Sequence, residues 1–594
     1  MNDVELSERA QSTVDNEMTA VQRWLDALEA ALRDGRTTAI AALFTPDSHW
    51  RDLLAFTWSL TPRTGRDQIA AALGERQSTV KAHAFTVAKG RSAPRRTRRH
   101  GVAVIEAIFE FETAVGRGNG VVRLPADRPT QAWVLLTALD ALKGFEEKTG
   151  TQRPKGEPYS RDFGGDNWLD QRNKSQAYRD RDPAVLVVGG GQAGLAIAAR
   201  LGQLDVDTLV IDKHERIGDN WRKRYHSLAL HNQIQVNHLP YMLFPPTWPK
   251  YIPKDMLANW FEAYAWALQI NFWTGAEFTA GAYDEAAGRW TATVRSADGN
   301  ERTLYPRHII FANGVSGIPY LPELPGLKNF AGAVVHSHNF TTGAEWRGKK
   351  ALVLGTGNSG HDVAQDLHSH GADTTIIQRG STTVVSVDPS AKLNYALYDE
   401  GHALDDTDLI ATAATYPLIV RGYQLAVEKM EQLDKEMIAG LTSRGFKYDL
   451  GEDKTGHQMK YRRRGGGYYL DVGCSGLIIK GEIGLLQFDR IERFVAEGAQ
   501  CKDGSIHQAD LLVLATGYHT QRELVRRLLG DAVAERVGEI WGFSADGEMA
   551  NMWKRTAQPG LWFMAGSLAQ CRIYSKYLAL QIKAMEAGLI SNDG

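Results

Sequence analysis

Two short glycine clusters carry the sharpest chemical signal in this chain. In Val185-Leu-Val-Val-Gly189-Gly-Gly191-Gln192-Ala193-Gly194 an apolar run enters the pattern G-x-G-x-x-G, and a small-residue stretch leaves it. That context is the one a dinucleotide-binding turn requires. Gly189 makes the tight turn, and Gly191, with Gln192 and Ala193, lets backbone approach a pyrophosphate. Gly194 permits close helix-to-strand packing. Asp212, 23 residues after Gly189, ends the next predicted strand, where a carboxylate accepts bonds from ribose hydroxyls. The second cluster, Gly355-Thr-Gly357-Asn358-Ser359-Gly360, again lies between an apolar run and a helix, but its next strand ends in Arg379. A guanidinium fork suits a 2′-phosphate, so NADPH rather than NADH is expected on this second site. Two such sites in one chain are expected to pass hydride from a nicotinamide to a flavin, which assigns FAD to the first.

These loops need strands and helices to hold them, and the chain is long enough to supply several such units. Its 594 residues contain 43% hydrophobic and 23% charged residues, an ordinary globular composition. The expected fold class is α/β. It has two Rossmann-type dinucleotide-binding domains for FAD and NADPH with a helical insert, preceded by an α+β cone-like domain. The boundaries read as 1–150 for the α+β domain, 151–182 for a linker and 183–345 for the first part of the FAD domain. The NADPH domain follows at 346–499 with its insert at 388–475, and 500–594 returns to the FAD domain. The 58 glycines, against a usual ~7%, are read as tight turns near ligands.

Other features narrow the chemistry. Lys plus Arg is 68 against 70 for Asp plus Glu, so no overall positive field is available for nucleic acid. No apolar run is long enough for a membrane span, and the expected location is cytoplasmic. Cys474, Cys501 and Cys571 form no C-x-x-C pair, which removes a redox dithiol and leaves oxygen as the expected electron acceptor. No metal-ligand spacing is present, so no metal is expected. The expected partners are a small-molecule substrate and O2, and a homodimer is the assembly considered. Four arginines at 95, 96, 98 and 99 are read as a solvated loop. The linker is expected to pack through Tyr159, Phe163 and Trp168. The insert is read as helices at Asp405 to Ala414 and Leu418 to Leu441, with Tyr395, Tyr398 and Tyr416 beside a channel or in plain packing.

Between the two glycine clusters runs Phe330-Ala-Gly332-Ala-Val-Val-His336-Ser337-His-Asn-Phe340. It matches the F-x-G-x-x-x-H-S-x-x-[FY] fingerprint, and the chain from 183 to about 585 resembles the class B flavin-dependent monooxygenases, with its closest feel to the YUCCA-like branch. Gly218-Asp-Asn220-Trp221, Tyr251-Ile-Pro-Lys254 and Leu514-Ala-Thr516-Gly517-Tyr518 support the resemblance. Ala312-Asn313-Gly314 departs from the usual A-T-G. The resemblance implies an FAD- and NADPH-dependent monooxygenase that inserts one oxygen atom from O2 through a C4a-(hydro)peroxyflavin. N- or S-oxygenation or 2-oxo-acid oxidation is the expected reaction. Baeyer–Villiger chemistry is the alternative, although its G-G-x-W and Y-P-G elements are unmatched, and a noncatalytic redox-sensing flavoprotein or NADPH oxidase is another. Cofactor contacts carried over are Lys213, Asn220, Trp221, Thr516 and Gly517. Counting six residues from Tyr225 gives His231 with Asn232 next, and either fills the catalytic place. His336 is implied as a hinge between flavin and nicotinamide domains. Residues 1 to 150 loosely resemble SnoaL-like and nuclear-transport-factor-like domains, and a structural role is expected for them.

Overall fold

A computed structural model of the chain describes residues 3–153 and 163–591. Two five-stranded parallel sheets form its centre. In the first, Asn271–Thr274, Thr208–Asp212, Val185–Val188, His308–Phe311 and Leu561–Phe563 lie in that spatial order, all parallel. Numbered by sequence this is 3-2-1-4-5, the doubly wound order, whose crevice opens where the order reverses beside the first strand. The second sheet runs Ala333–His336, Leu511–Leu514, Lys350–Leu354, Asp373–Gln378 and Gly484–Gln487, also all parallel. Its strand Lys350–Leu354 lies at the same kind of switch point. Both sheets are apolar on both faces: Leu186, Val187, Leu209, Val353 and Ile376 are fully buried. The structure therefore has the α/β fold with two dinucleotide-type sheets.

The N-terminal unit is a seven-stranded mixed sheet covered by helices Asp3–Asp34, Thr37–Ala42 and Arg66–Val80. Val21, Trp24, Leu25, Leu28 and Leu32, one face of the first helix, are all buried. Some of the glycine excess is spent here and not at nucleotide turns. A Cβ on Gly118 or Gly120 would sit 2.3 Å from the Phe111 ring or 2.2 Å from the Phe109 ring, and these are the cross-strand partners in register. The glycines leave room for two aromatic rings on the neighbouring strand.

Three local expectations are corrected. The arginine run is not a solvated loop but the strand Arg95–Arg99, paired with Val102–Glu112. Arg99 bonds Glu106 and Glu400, both at 2.7 Å, and so ties the N-terminal sheet to the insert. The linker aromatics do not pack: Phe163 is 93% exposed, Trp168 stands exposed at the start of a helix, and Tyr159 lies outside the described residues. Helix Trp168–Ala177, capped by Asn167 and Asp170, occupies part of that segment, and it is the buried Tyr178 that anchors it through Asp207 at 2.6 Å. The insert's long helix is two, Tyr416–Leu433 and Lys435–Ser443. Asp434 leaves helical geometry between them, and its carboxylate accepts from the amide and hydroxyl of Ser386 at 3.0 and 2.6 Å.

Candidate active site

Both glycine loops open onto one cleft of about 2010 Å³. A single drug-sized ligand occupies roughly 300–1,000 Å³, so the space suits two dinucleotides and a substrate. Every residue expected from the sequence to be catalytic or to bind a cofactor lines this cleft except Gly194 and His336.

Gly189 has φ +110°, and a Cβ there would lie 2.8 Å from the carbonyl oxygen of Ala312. Only glycine meets both conditions. Gly194 is excluded from the cleft for the reason it is needed: its Cβ would lie 1.9 Å from the Gly189 carbonyl oxygen, so it fixes helix against loop. Helix Gln192–Gln203 starts at Gly191 with no side-chain cap, which leaves its first amides free for an anion. Asp212 accepts from the Gly190 amide at 2.7 Å and from the His214 amide and ring at 2.9 and 2.7 Å. Burial opposes ionisation there, but these bonds outweigh it and hold the carboxyl below its ordinary pKa. About one acceptor position remains for a ribose hydroxyl. Gly190 escaped the sequence reading: besides its bond to Asp212, a Cβ on it would strike the Phe272 ring at 2.1 Å. Gln192 and Trp221 hold each other, indole to amide oxygen at 3.2 Å.

The second loop repeats the first. Gly355 has φ +122°, and its Cβ would lie 2.3 Å from the Ala515 carbonyl oxygen. A Cβ on Gly360 would lie 2.0 Å from the Gly355 carbonyl oxygen. Helix Asn358–Ser369 is also uncapped by side chains. Asn358 accepts from the Leu470 amide at 2.8 Å, tying the loop to strand Tyr468–Asp471 near the end of the insert. Arg379 is exposed on the cleft and makes no hydrogen bond or ion pair among the described residues.

His231 and Asn232 diverge. Asn232 donates to the Tyr395 hydroxyl at 3.3 Å, on the wall built by the insert. His231 bonds to none of the described residues; burial lowers its pKa, and the charge of Asp362 acts against that. Asp362 lies in the first turns of the second nucleotide helix and accepts the Tyr225 hydroxyl, while its other oxygen is buried without a partner. Burial raises the Asp362 carboxyl, and burial together with that carboxyl raises Tyr225 well above its ordinary value. Tyr225, from the first nucleotide unit, thus reaches the helix of the second. His336 lies one step outside the cleft, at the end of its strand. Its Nε2 donates to the Gly517 carbonyl at 3.2 Å and its Nδ1 accepts from the His338 amide at 3.0 Å, so both ring nitrogens are satisfied. It joins the edge strand to the Thr516-Gly517 turn and does not face the reacting space. Thr516 closes the same turn by donating to the Tyr320 carbonyl at 2.6 Å.

The insert supplies wall residues that no motif announced: His457, Gln458, Tyr461 and Tyr468 line the cleft with Tyr395. Of the three tyrosines considered from the sequence, Tyr395 alone does so. Tyr398 donates to Asp408, and Tyr416 packs on Phe543.

The family described as pyridine nucleotide-disulphide oxidoreductase matches residues 186–416, a span that contains no cysteine. Indole-3-pyruvate monooxygenase YUCCA1 of Oryza sativa subsp. japonica is 31% identical over 339 residues, 57% of this chain and 77% of the relative. The chain belongs to the flavin monooxygenases. It is an NADPH-dependent enzyme of that family. Probable indole-3-pyruvate monooxygenase YUCCA1 of Arabidopsis thaliana is 30% identical, covering 56% of this flavin monooxygenase and 75% of the relative. A cyclohexanone monooxygenase mutant from Rhodococcus sp. Phi1 bound to NADP+ shares the fold, with a TM-score of 0.50 at 17% identity over 69% of this chain and 87% of that one. Among the described residues no helix is long and apolar enough to cross a membrane.

Proposed function

We propose that this flavin monooxygenase holds FAD on the Gly189 loop and NADPH on the Gly355 loop, and inserts one oxygen atom from O2 into a small organic substrate lying against the insert. The observation that supports this reading most is the opening of two uncapped nucleotide-type helices onto one cleft, with a bonded acid beside the first and a free arginine beside the second. FAD and NADPH held there would supply the redox chemistry, hydride transfer and oxygen reduction. The chain's own residues bind, orient and exclude water. Amides at the start of helices Gln192–Gln203 and Asn358–Ser369 would hold the pyrophosphates, Asp212 a ribose and Arg379 the 2′-phosphate. His231, bonded to none of the described residues, would donate toward developing negative charge near the cofactors, and Asn232 would position the insert wall through Tyr395. Tyr395, Tyr461 and Tyr468 would keep water from the substrate.

Aromatic 2-oxo acids are the first substrates to test, because the two relatives compared above are named for one. Sulfides and amines come next. The test is a panel run with NADPH and labelled dioxygen. The expected result is one labelled oxygen per product; NADPH consumption yielding hydrogen peroxide alone across the panel would instead mark an oxidase.

A further inference from the structure

Among the contacts that join the N-terminal unit to the rest of the chain is a buried arginine whose partners all lead toward the cleft. Arg51 lies in strand Phe44–Leu53 and is 5% exposed. Its guanidinium closes on Glu548 with two parallel bonds, Nε to Oε1 and Nη2 to Oε2, both 2.7 Å. Nη1 donates to the Thr412 carbonyl at 2.8 Å and to the Tyr574 hydroxyl at 3.2 Å. One side chain therefore meets three segments that are remote in sequence. A planar fork bonded in this way fixes orientation as well as distance.

Each segment continues to the cleft wall. Glu548 sits in a hairpin closed by Trp541 and Ala550, amide to carbonyl at 3.0 Å. At the far end of that hairpin the Trp541 indole donates to the Tyr461 carbonyl at 3.1 Å and packs edge-on against the Tyr461 ring, and both residues line the cleft. Tyr574 stacks on Trp553 at 4.0 Å in helix Leu568–Glu586, and the first residue of this helix, Leu568, also lines the cleft. Thr412 ends helix Leu404–Thr412. From that helix Asp408 holds Arg572, which in turn bonds the carbonyls of Val236 and His238 on either side of the cleft residue Asn237. Neither glycine loop is among these contacts.

We propose that Arg51 is a positioning residue for the substrate wall: the N-terminal unit is a strut that sets the Trp541–Tyr461 wall and the start of the last helix, without touching either nucleotide. A buried ion pair of this kind says little about net stability but much about which arrangement is populated. The activity consequence rests on reading this cleft as the oxygenation site; the structural consequence does not.

The test uses the full-length holoprotein. Truncating Arg51 alone would leave Glu548 buried and unpaired, so the informative variants are Arg51→Met combined with Glu548→Gln, which removes both charges, and Arg51→Lys, which keeps the charge and loses the fork. Amide hydrogen exchange is followed in three regions: 539–550, 456–464, and the glycine loops at 185–194 and 351–360. The proposal expects exchange in the first two regions to rise on the order of tenfold in the double variant and less in Arg51→Lys, with the glycine loops unchanged. It also expects more hydrogen peroxide per NADPH with unaltered flavin content. Unchanged exchange in 539–550 and 456–464 would overturn the proposal, as would a rise that extends equally to the glycine loops. If the double variant fails to fold, Arg51→Lys decides by the same comparison. Should the wild-type protein oxygenate nothing, the exchange measurement still stands or falls alone.

Discussion

The helices entered through Gly191 and Gly357 start from nearly the same backbone geometry, φ −79°, ψ −167° and φ −81°, ψ −174°. Each is preceded by a glycine at positive φ pressed against the carbonyl of a neighbouring alanine, Ala312 or Ala515. What differs is the end of the next strand. Asp212 is bonded into its loop, whereas Arg379 is exposed and bonds to none of the described residues. In the proposed reading, backbone geometry would let both loops take a pyrophosphate, and the residue at the next strand's end would choose the nucleotide. The first loop is closed by internal bonds; at the second, the proposed selective group has no bonded partner among the described residues.

The comparison breaks most completely at the glycines. Gly189→Val should give a protein without bound flavin, while Gly355→Val should remain yellow but lose reduction by NADPH, since each side chain would collide with backbone at the neighbouring strand end of its own sheet, Ala312–Asn313 or Ala515. Flavin absorbance and anaerobic bleaching distinguish the two; a colourless Gly355→Val protein would show that the loops are not independent. Between the loops, His231→Ala should keep flavin reduction and lose product by about a hundred- to a thousandfold, in line with ~2.7–4 kcal/mol for one preorganised donor. Asn232→Ala should instead raise KM through Tyr395. Equal effects on kcat from both substitutions would count against the separate roles. A smaller effect is expected from Tyr225→Phe, which leaves the buried Asp362 without its donor. A loss of ~1–3 kcal/mol in unfolding free energy, read by denaturant titration, is expected.

Much of the first comparison was legible in sequence, because glycine spacing and the strand-end residue are local signals. Asp212 and Arg379 could be named without any tertiary knowledge. The substrate wall was not legible in the same way. Asn232 meets Tyr395 163 residues later, and Arg51 meets Glu548 497 residues later, so neither pairing has a spacing rule. Arg95 and Arg99 looked solvated because their acids lie elsewhere, Glu106 on the next strand and Glu400 in the insert, while Arg96 and Arg98 are indeed exposed. His336 belongs to a recognisable fingerprint, but the sequence does not reveal that both its nitrogens are used in a turn.

The claim that the two loops hold different nucleotides is tested most directly at Arg379. Holoenzyme is titrated anaerobically with NADPH and with NADH while flavin absorbance is followed, for the wild type and for Arg379→Ala. Loss of a charge-assisted two-bond phosphate contact costs about 1.5–3 kcal/mol, so the variant should lose NADPH affinity roughly ten- to a hundredfold and leave NADH affinity unchanged. An NADPH-to-NADH preference that is the same in both proteins would contradict the account.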